Sequence, residues 1–528
     1  MSDSRNQRIL RGEPNDLGWV DLEIAPGEDL IGDAPSADAV PLLTFIHISD
    51  LHICDAQSPA RVELMDRFAD PHHPMSEMVP FVGAYRAQEI LTTQTLEAMV
   101  RTVNSIKHGF HSEKPVDFVL ATGDVTDNAQ ANELDWYFTL MEGGRVHPDS
   151  GDRDHWEGVA QRDPETYDRS YWNPEGTPPG CEDDFPRSLY GFPVVRGLTH
   201  AVRQPFNATG LLHKWFATHG NHDALLQGTV PPNAELVGIS TGNKRLIALA
   251  PDLDLGQAFG GWNMVGPAHY ASPQGGTFRD QNSDERRRFN EPSDWAKLHL
   301  QCLDKGHDGH GLTQINADEG TKYWFRDIGD FRLISLDTVN INGGWQGSLD
   351  YTQFIWLKKL LAESVLKKCI LFSHHPLQTL FNDYAPEGAD RRVAREEIEE
   401  ELLQHSCIIA WFAGHDHDNR VRYVGTEGVN GFWHVLTASL IDWPQQGRVV
   451  EILQDGDDLV IATSVFDHDS PIDLQSATSD LTNPVNLAGL SRTLSANHWQ
   501  RRKQNDFFND LAAGKPEDRN CYLRLKGR

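Results

Sequence analysis

Five short motifs rich in histidine and aspartate lie along the 528-residue chain, each where a predicted strand ends. In chain order they are Asp50-Leu51-His52, Gly123-Asp124, Gly220-Asn221-His222-Asp223, His374-His375-Pro376 and Gly414-His415-Asp416-His417. In the first and last motifs, two side chains spaced two residues apart point the same way on an extended chain. Because imidazole and carboxylate ligands together suit divalent first-row metal ions, the motifs predict a hydrolytic metal site.

The number of candidate ligands in these motifs exceeds what one ion would use. Two ions about 3.5 to 4 Å apart would use them, and such a pair can bind both the attacking and the leaving oxygen of a phosphoryl displacement. The glycines in the motifs allow tight turns and close backbone approach at the strand ends. The sequence therefore predicts a binuclear centre.

The elements around the first two motifs predict how they are positioned. An apolar run from Leu42 ends at Asp50, and a second strand ends at Asp124. Between them, apolar residues recur with the period of a helix at Leu96, Met99, Val100 and Val103. This strand-helix-strand order favours parallel strands, with the site at their carboxyl ends.

Regular elements return in the second half of the chain. Strands are predicted from Phe331 to Asp337, from Cys369 to Ser373 and from Cys407 to Phe412. Helices are predicted for TQFIWLKKLLAES and EEIEEELLQ, and two further strands for GFWHVLTAS and RVVEILQ. The fourth and fifth motifs directly follow two of these strands.

The elements divide the chain into an arm, a catalytic domain and an extension. Residues 1–40 predict an N-terminal arm, 41–455 a catalytic domain and 456–528 a C-terminal extension packing on that domain. Two long segments with weak periodicity, 130–215 and 224–320, interrupt the domain. Such segments are often functional insertions, and we expect both to cover the metal site and restrict substrate size.

Composition limits the partners and the compartment. The formal net charge of -30 disfavours nucleic acid as a partner, but a small phosphate ester remains compatible with a metal site. No apolar run reaches the roughly 18 to 20 residues that span a bilayer, so no membrane partner is expected. The N-terminus lacks the pattern of a secretory signal and the six cysteines are dispersed, which predicts a cytoplasmic location.

Together, the five motifs resemble the pattern of the calcineurin-like metallophosphoesterase superfamily, which includes purple acid phosphatases and cyclic-nucleotide phosphodiesterases. The pattern DxH, GD, GNH, H and GHxH is present complete and in order between about residues 40 and 455. The resemblance implies an α/β fold, a four-layer α/β/β/α sandwich of two mainly mixed sheets, here with long insertions. It does not explain the arm, the insertions or the extension.

The resemblance also implies roles for individual residues. One metal ion would be held by Asp50, His52, Asp124 and His417. A second would be held by Asp124, Asn221, His374 and His415, so that Asp124 bridges the two. His222 would lie beside the ions as the catalytic residue, donating a hydrogen bond or a proton to the ester, and metal-bound hydroxide would be the nucleophile.

The identity of the ions stays open among manganese, iron and zinc. Purple acid phosphatases have a tyrosine three residues after the aspartate of GD and lack the histidine of DxH. Here Asp127 occupies the first position and His52 the second, which argues against an Fe(III)-tyrosinate centre. His375, beside the predicted ligand His374, is open to two interpretations: support for the ligands, or simple packing against Pro376.

These observations predict an enzyme that hydrolyses phosphate esters, with a small-molecule phosphodiesterase as the first hypothesis. A phosphomonoesterase is the main alternative. A nuclease would require the insertions to concentrate arginines against the overall charge, and a non-catalytic scaffold would be expected to lack ligands that this chain has. The sequence indicates neither the physiological substrate nor the oligomeric state.

Overall fold

A computed structural model describes residues 2–79, 82–255, 275–291, 293–301, 308–426, 430–503 and 510–528. Part of the segment 224–320, predicted to be an insertion, therefore lies outside the described residues. Within the described ranges, no helix is both long enough and apolar enough to cross a membrane.

The first of two large sheets has seven strands in mixed orientation. Its strand order is Ser2–Asp3, Asp458–Asp467, Gln446–Asp455, Val40–Ile48, Phe118–Thr122 and Trp215–Thr218, with Cys521–Leu525 also paired to Asp458–Asp467. The last three strands of the order run parallel, as the strand-helix-strand pattern predicts. Both the arm and the extension contribute strands to this sheet.

The second large sheet has six strands, also mixed. Its order is Trp324–Ile328, Phe331–Ser335, Lys368–Phe372, Ile408–Ala413, Asn430–Leu436 and Arg420–Thr426. Strands two to five of this order are parallel, so their carboxyl ends meet at one edge. The predicted strands of the second half of the chain are all present.

The two sheets face each other across a core of aromatic and aliphatic side chains. Phe45 of the first sheet stacks on Phe118 at 5.0 Å and meets Phe412 of the second sheet edge-on at 5.1 Å. Edge-to-face and offset contacts of this kind are favourable aromatic geometries. Because strands from both sheets bury side chains in one cluster, the sheets are held in a fixed relation, and so are the residues at their ends.

Helices cover the outer faces. Thr92–Ser105 packs Leu96, Met99 and Val103 onto the first sheet, and Pro484–Ala496 of the extension packs against that helix. Tyr351–Ala362 and Arg395–Leu402 cover the second sheet. The predicted four-layer α/β/β/α sandwich of two mixed sheets is confirmed.

The segments predicted as insertions contain short elements rather than a further large sheet in the part of the chain that is described.

The other α-helices of the described residues, inside and outside these segments, are Glu63–Asp66, Ala131–Glu142, Phe185–Tyr190, Leu198–Ala201, Ala234–Thr241, Asp294–Gln301, Gln314–Glu319, Leu474–Ala477 and Pro516–Arg519. The two-stranded pairs are Gln7–Arg11 with Leu22–Pro26, Gly144–Val146 with Phe206–Ala208, Lys244–Ala248 with Thr277–Asp280, and Leu349–Asp350 with Arg392–Val393.

Candidate metal centre

All five motifs meet at one edge of the sandwich. On the first sheet, the first three motifs follow the carboxyl ends of the parallel strands Val40–Ile48, Phe118–Thr122 and Trp215–Thr218. On the second sheet, the fourth and fifth follow Lys368–Phe372 and Ile408–Ala413. Carboxyl ends of parallel strands are where α/β folds place their sites, so the topology itself gathers the candidate ligands.

The backbone at these strand ends is strained. Five candidate ligands have left-handed φ values between 44° and 68°: Asp50, His52, Asp124, His415 and His417. This region is costly for residues other than glycine, and such residues cluster at active sites where the surroundings enforce them. The turns direct each side chain out of its strand and toward a common centre.

Asp50 links the two sheets at this centre. Both of its carboxylate oxygens accept the backbone N–H of His415 at 3.1 Å, and one lies 3.3 Å from Nε2 of His417. Asp50, His52 and His417 offer ligand atoms that all lie within 4.8 Å of one another, a spacing that one cation could bridge.

Asp124 lies between this group and a second one. Its Oδ2 is 3.1 Å from Nε2 of His374 and 3.7 Å from Nε2 of His52. The same Nε2 of His374 faces Nδ1 of His415 at 3.2 Å. A single carboxylate thus approaches imidazoles from both groups, which is the position that a bridging ligand requires.

Two ligand atoms in this centre lack the partners that buried polar atoms normally have. Within the described part of the chain, Nε2 of His52 and Oδ1 of Asn221 are buried without a hydrogen bond. The Asn221 amide nitrogen donates to the Gly228 carbonyl at 2.9 Å, which directs the oxygen toward the site. A Cβ at Gly228 would overlap Asn221 and His222, so this approach requires glycine. Unpaired buried atoms are costly, and two divalent cations would satisfy both.

The charges of the site also fit cations. Although burial lowers the pKa of His374, the carboxylates of Asp124 and Asp50 raise it to about 9. Burial likewise lowers the pKa of His417, but Asp50 and Asp442 raise it to about 9. Although burial raises the pKa of Asp124, the charge of His374 holds it well below its usual value. The centre therefore attracts positive charge at the positions where metal ions would bind.

Hydrogen bonds from behind fix the orientation of the imidazoles. Nδ1 of His52 lies 3.0 Å from a carboxylate oxygen of Asp127, and Nδ1 of His417 lies 2.7 Å from one of Asp442. Nδ1 of His374 lies 2.9 Å from the Thr122 carbonyl. Each bond leaves Nε2 directed at the centre, the arrangement found where carboxylates and carbonyls support metal-bound histidines.

The roles of Asp127 and Asp442 go beyond what the sequence predicted. In the sequence, Asp127 was singled out only as the position where purple acid phosphatases have tyrosine. Its place three residues after Asp124 was the one signal that it lies near the site. No local pattern distinguishes Asp442, which reaches His417 from a loop after a strand of the second sheet.

We expect Asp127→Asn and Asp442→Asn to weaken metal binding by about 10- to 100-fold each, because an amide orients the imidazole less strongly than a carboxylate does. Asp418→Asn is the matched control, since Asp418 pairs with Arg420 and not with an imidazole. Titration with manganese under competition from a chelator measures the change. Parent-like affinity in both variants would contradict the support assigned to these carboxylates.

His375 supports a neighbouring side chain rather than lying unbonded beside the centre. Its Nδ1 is 2.8 Å from the Thr338 hydroxyl and its Nε2 is 3.0 Å from the Trp345 carbonyl. Both ring nitrogens are therefore used within the protein. Its ring lies 4.4 Å from that of His415, so it supports the position of that candidate ligand.

His222 lies beside the candidate ligands, at the cavity wall. Its Nδ1 is 2.6 Å from the Asp127 carbonyl, its ring is 4.6 Å from that of His52, and its backbone N–H donates to Asp124 at 2.8 Å. Burial, together with the neighbouring His52, lowers its pKa to about 4. The neutral ring therefore donates from Nδ1 to Asp127 and has an unprotonated Nε2.

A cavity of about 380 Å³ opens onto the centre. Besides five of the seven candidate ligands and His222, its wall includes Gln227, Thr229, Trp345, Val82–Ala84, Arg86 and Arg501. Both insertions were expected to cover the site, but among the described residues only Gln227 and Thr229 of 224–320, and none of 130–215, line this cavity. Other parts of the wall come from Val82–Ala84 and Arg86, and from Arg501 of the C-terminal extension.

The model of the calcineurin-like phosphoesterase family matches residues 194–419, which include the last three motifs. Over this segment the chain is similar to that family, and the five motifs that meet at one edge of the sandwich bring together groups of side chains that could hold metal ions.

The chain is similar to a probable glycerophosphodiester phosphodiesterase, GpdQ, from Arcobacter nitrofigilis, at 26% identity over 144 residues. The match covers 26% of this chain and 51% of the relative, so the chain spans about half of that relative's length.

Two solved structures are also similar in part. A dimetal phosphatase from Danio rerio aligns with 13% identity and a TM-score of 0.33, covering 81% of this chain and 100% of the other. The sulfate thiohydrolase SoxB from Thermus thermophilus, in complex with glycerol, aligns with 11% identity and a TM-score of 0.28, covering 90% and 62%.

Proposed function

We propose that this enzyme hydrolyses small-molecule phosphate diesters at a centre of two divalent metal ions. The observation behind the proposal is the convergence of seven candidate ligands, five of which line a cavity of about 380 Å³ and two of which have buried unpaired atoms. That volume falls within the range of pockets that bind small molecules. The partial similarity to a probable phosphodiesterase supports the diester over the monoester.

In this proposal one ion is held by Asp50, His52, Asp124 and His417, and the other by Asp124, Asn221, His374 and His415. When bound, the two ions supply positive charge to the phosphoryl oxygens and lower the pKa of a water molecule. Manganese, iron and zinc all suit this set of nitrogen and oxygen donors.

The remaining side chains of the site act on the ester itself. Nε2 of His222, at the cavity wall, would contact an ester oxygen. The anionic phosphoryl group favours protonation of that nitrogen, which would otherwise accept rather than donate a hydrogen bond. Trp345, stacked at 5.8 Å on His415, gives the cavity an aromatic wall against which the alcohol part of the ester would pack.

A comparison of two aryl substrates tests the proposal. With manganese present, we expect faster turnover of bis(4-nitrophenyl) phosphate than of 4-nitrophenyl phosphate, because the second nitrophenyl group would pack against the cavity wall that includes Trp345. A clear preference for the monoester would instead support a phosphomonoesterase.

Metal removal should abolish activity and lower stability together. We expect about two divalent ions per chain, and a chelator should remove both the ions and the turnover. Ions that bind only the folded state also raise the melting temperature, so the apoprotein should melt lower and recover when manganese is restored. Elemental analysis, turnover and thermal unfolding of the same samples provide the check; an active protein without metal would contradict the assignment.

A further inference from the structure

Two arginines from outside the five motifs line the cavity. Arg86 comes from the segment between the first and second motifs, and Arg501 comes from the C-terminal extension. They are the only arginine or lysine side chains among the described residues that form the cavity wall. In a chain with a net charge of -30, these two guanidinium groups place positive charge in a wall that also includes Asp124, Asp416 and Asp442.

One carboxylate holds both guanidinium groups in place. Nε of Arg86 donates to Oδ1 of Asp442 at 3.0 Å, and Nη2 of Arg501 donates to its Oδ2 at 3.0 Å. One carboxylate therefore fixes the position of two guanidinium groups at the cavity wall.

Both guanidinium groups keep donors that the protein does not use. Within the described ranges, Nη2 of Arg86 and both Nε and Nη1 of Arg501 make no hydrogen bond, while Nη1 of Arg86 donates to the Gly83 carbonyl at 3.0 Å. Because a guanidinium presents its donors in a fixed planar fork, unused donors facing a cavity suit a carboxylate or phosphate.

The position of these donors relative to the metal centre indicates which part of a substrate they would meet. Asp442 and the imidazole of His417 connect the arginines to the centre, since His417 bonds Asp442 through Nδ1 and faces Asp50 through Nε2. The bonded path from each arginine to the ligand atoms therefore passes through the Asp442 carboxylate and the His417 ring. A phosphoryl group at the centre would leave them to the alcohol part of the ester.

We propose that Arg86 and Arg501 form a subsite for a second anionic group, a carboxylate or phosphate carried on the alcohol part of the ester. The subsite deepens the proposed function, on which it rests, by selecting esters that have an anion beyond the one hydrolysed. It also gives the C-terminal extension a part in substrate choice, through Arg501.

Two phosphonates that differ by one carboxylate test the subsite without turnover. The probes are ethylphosphonate and 2-carboxyethylphosphonate, and their binding to the manganese-loaded full chain is measured by calorimetry. We expect the carboxylated probe to bind about tenfold more tightly, the effect of a charge-assisted hydrogen bond. Arg501→Gln should bring the ratio of the two affinities close to one, and Arg501→Lys should keep part of the preference because it keeps the charge.

Arg502→Gln is the matched control. Arg502 neighbours Arg501 in the chain, but it donates to the Leu17 carbonyl at 2.9 Å and lies over the Tyr190 ring. This variant should keep the tenfold preference. Loss of the preference in Arg502→Gln as fully as in Arg501→Gln would mean a general effect of the extension and would overturn the subsite.

Metal content separates binding from positioning. We expect Arg501→Gln to retain as much manganese as the parent; loss of an ion would show that Arg501 acts through Asp442 on His417, which overturns the proposal. Equal affinity of the parent for both probes would also overturn it, whatever the activity on esters. A parent that prefers the carboxylated probe but hydrolyses no diester would support the subsite and contradict only the proposed function.

Discussion

Asp124→Ala is expected to lose at least one metal ion and to lower turnover by more than the roughly 10²- to 10³-fold that follows the loss of a single electrostatic contact. The physical reason is the position of the carboxylate. Asp124 is within 3.1 Å of His374 and 3.7 Å of His52, which belong to different candidate ligand groups. Without its negative charge, nothing between two cations about 3.5 to 4 Å apart would compensate their mutual repulsion. Elemental analysis and turnover of the purified variant measure both effects.

Asp117→Ala is the matched control for this variant. Asp117 precedes the same strand at its opposite end, where its carboxylate accepts the Thr44 N–H at 2.9 Å. The control should lose some stability but keep its ions and its activity. If Asp124→Ala kept both ions and parent turnover, the shared carboxylate would be assigned wrongly.

The framework of the site could be predicted from sequence because its positions are dictated locally. Each motif directly follows a short apolar strand, and parallel strands bring their carboxyl ends together whatever lies between them. Asp50 and His415 are separated by 365 positions in the chain, yet their strands place the Asp50 carboxylate on the His415 N–H. The order of the motifs therefore held enough information to gather them.

The residues that hold the candidate ligands in place could not be predicted in the same way. Asp442 and Arg501 have no motif of their own, and they reach the site only through the packing of a loop and of the extension. The strand Asp458–Asp467 was also missed, although its run of apolar residues is buried in the first sheet. Long-range pairings of this kind depend on tertiary packing, which periodicity does not encode.

The cover of the site shows a similar limit. Two long segments without clear periodicity suggested a cover from 130–215 and 224–320, but length alone does not indicate which loop reaches a cavity. The residues of the first segment pack elsewhere in the protein; Ser150, for example, is buried and donates to Asp55 at 2.7 Å. Val82–Ala84 and Arg86, from a short segment without a distinctive composition, line the cavity in their place.

The last prediction concerns the division of labour between Asn221 and His222. Their side chains diverge: the Asn221 oxygen is buried and unpaired, whereas Nδ1 of His222 bonds the Asp127 carbonyl and its ring lines the cavity. A ligand role for His222 is the competing hypothesis, because its ligand atom, with those of His52 and Asp127, also falls within 4.8 Å. The two roles make opposite predictions for metal content.

His222→Ala should keep both metal ions and lose about 10²- to 10⁴-fold in turnover, the range for a group that transfers a proton. If His222 protonates the departing oxygen, the loss should be greater for an alkyl ester than for a nitrophenyl ester, because nitrophenolate departs with little protonation. Equal losses would mean that the ring orients the phosphoryl group instead. His219→Ala is the control. It removes a buried imidazole of the same loop, whose Nδ1 lies 3.3 Å from Asp337, and it should preserve the ratio of the turnover rates of the two esters. A His222→Ala protein that has lost a metal ion would show that His222 is a ligand, and its assigned place beside the ions would be wrong.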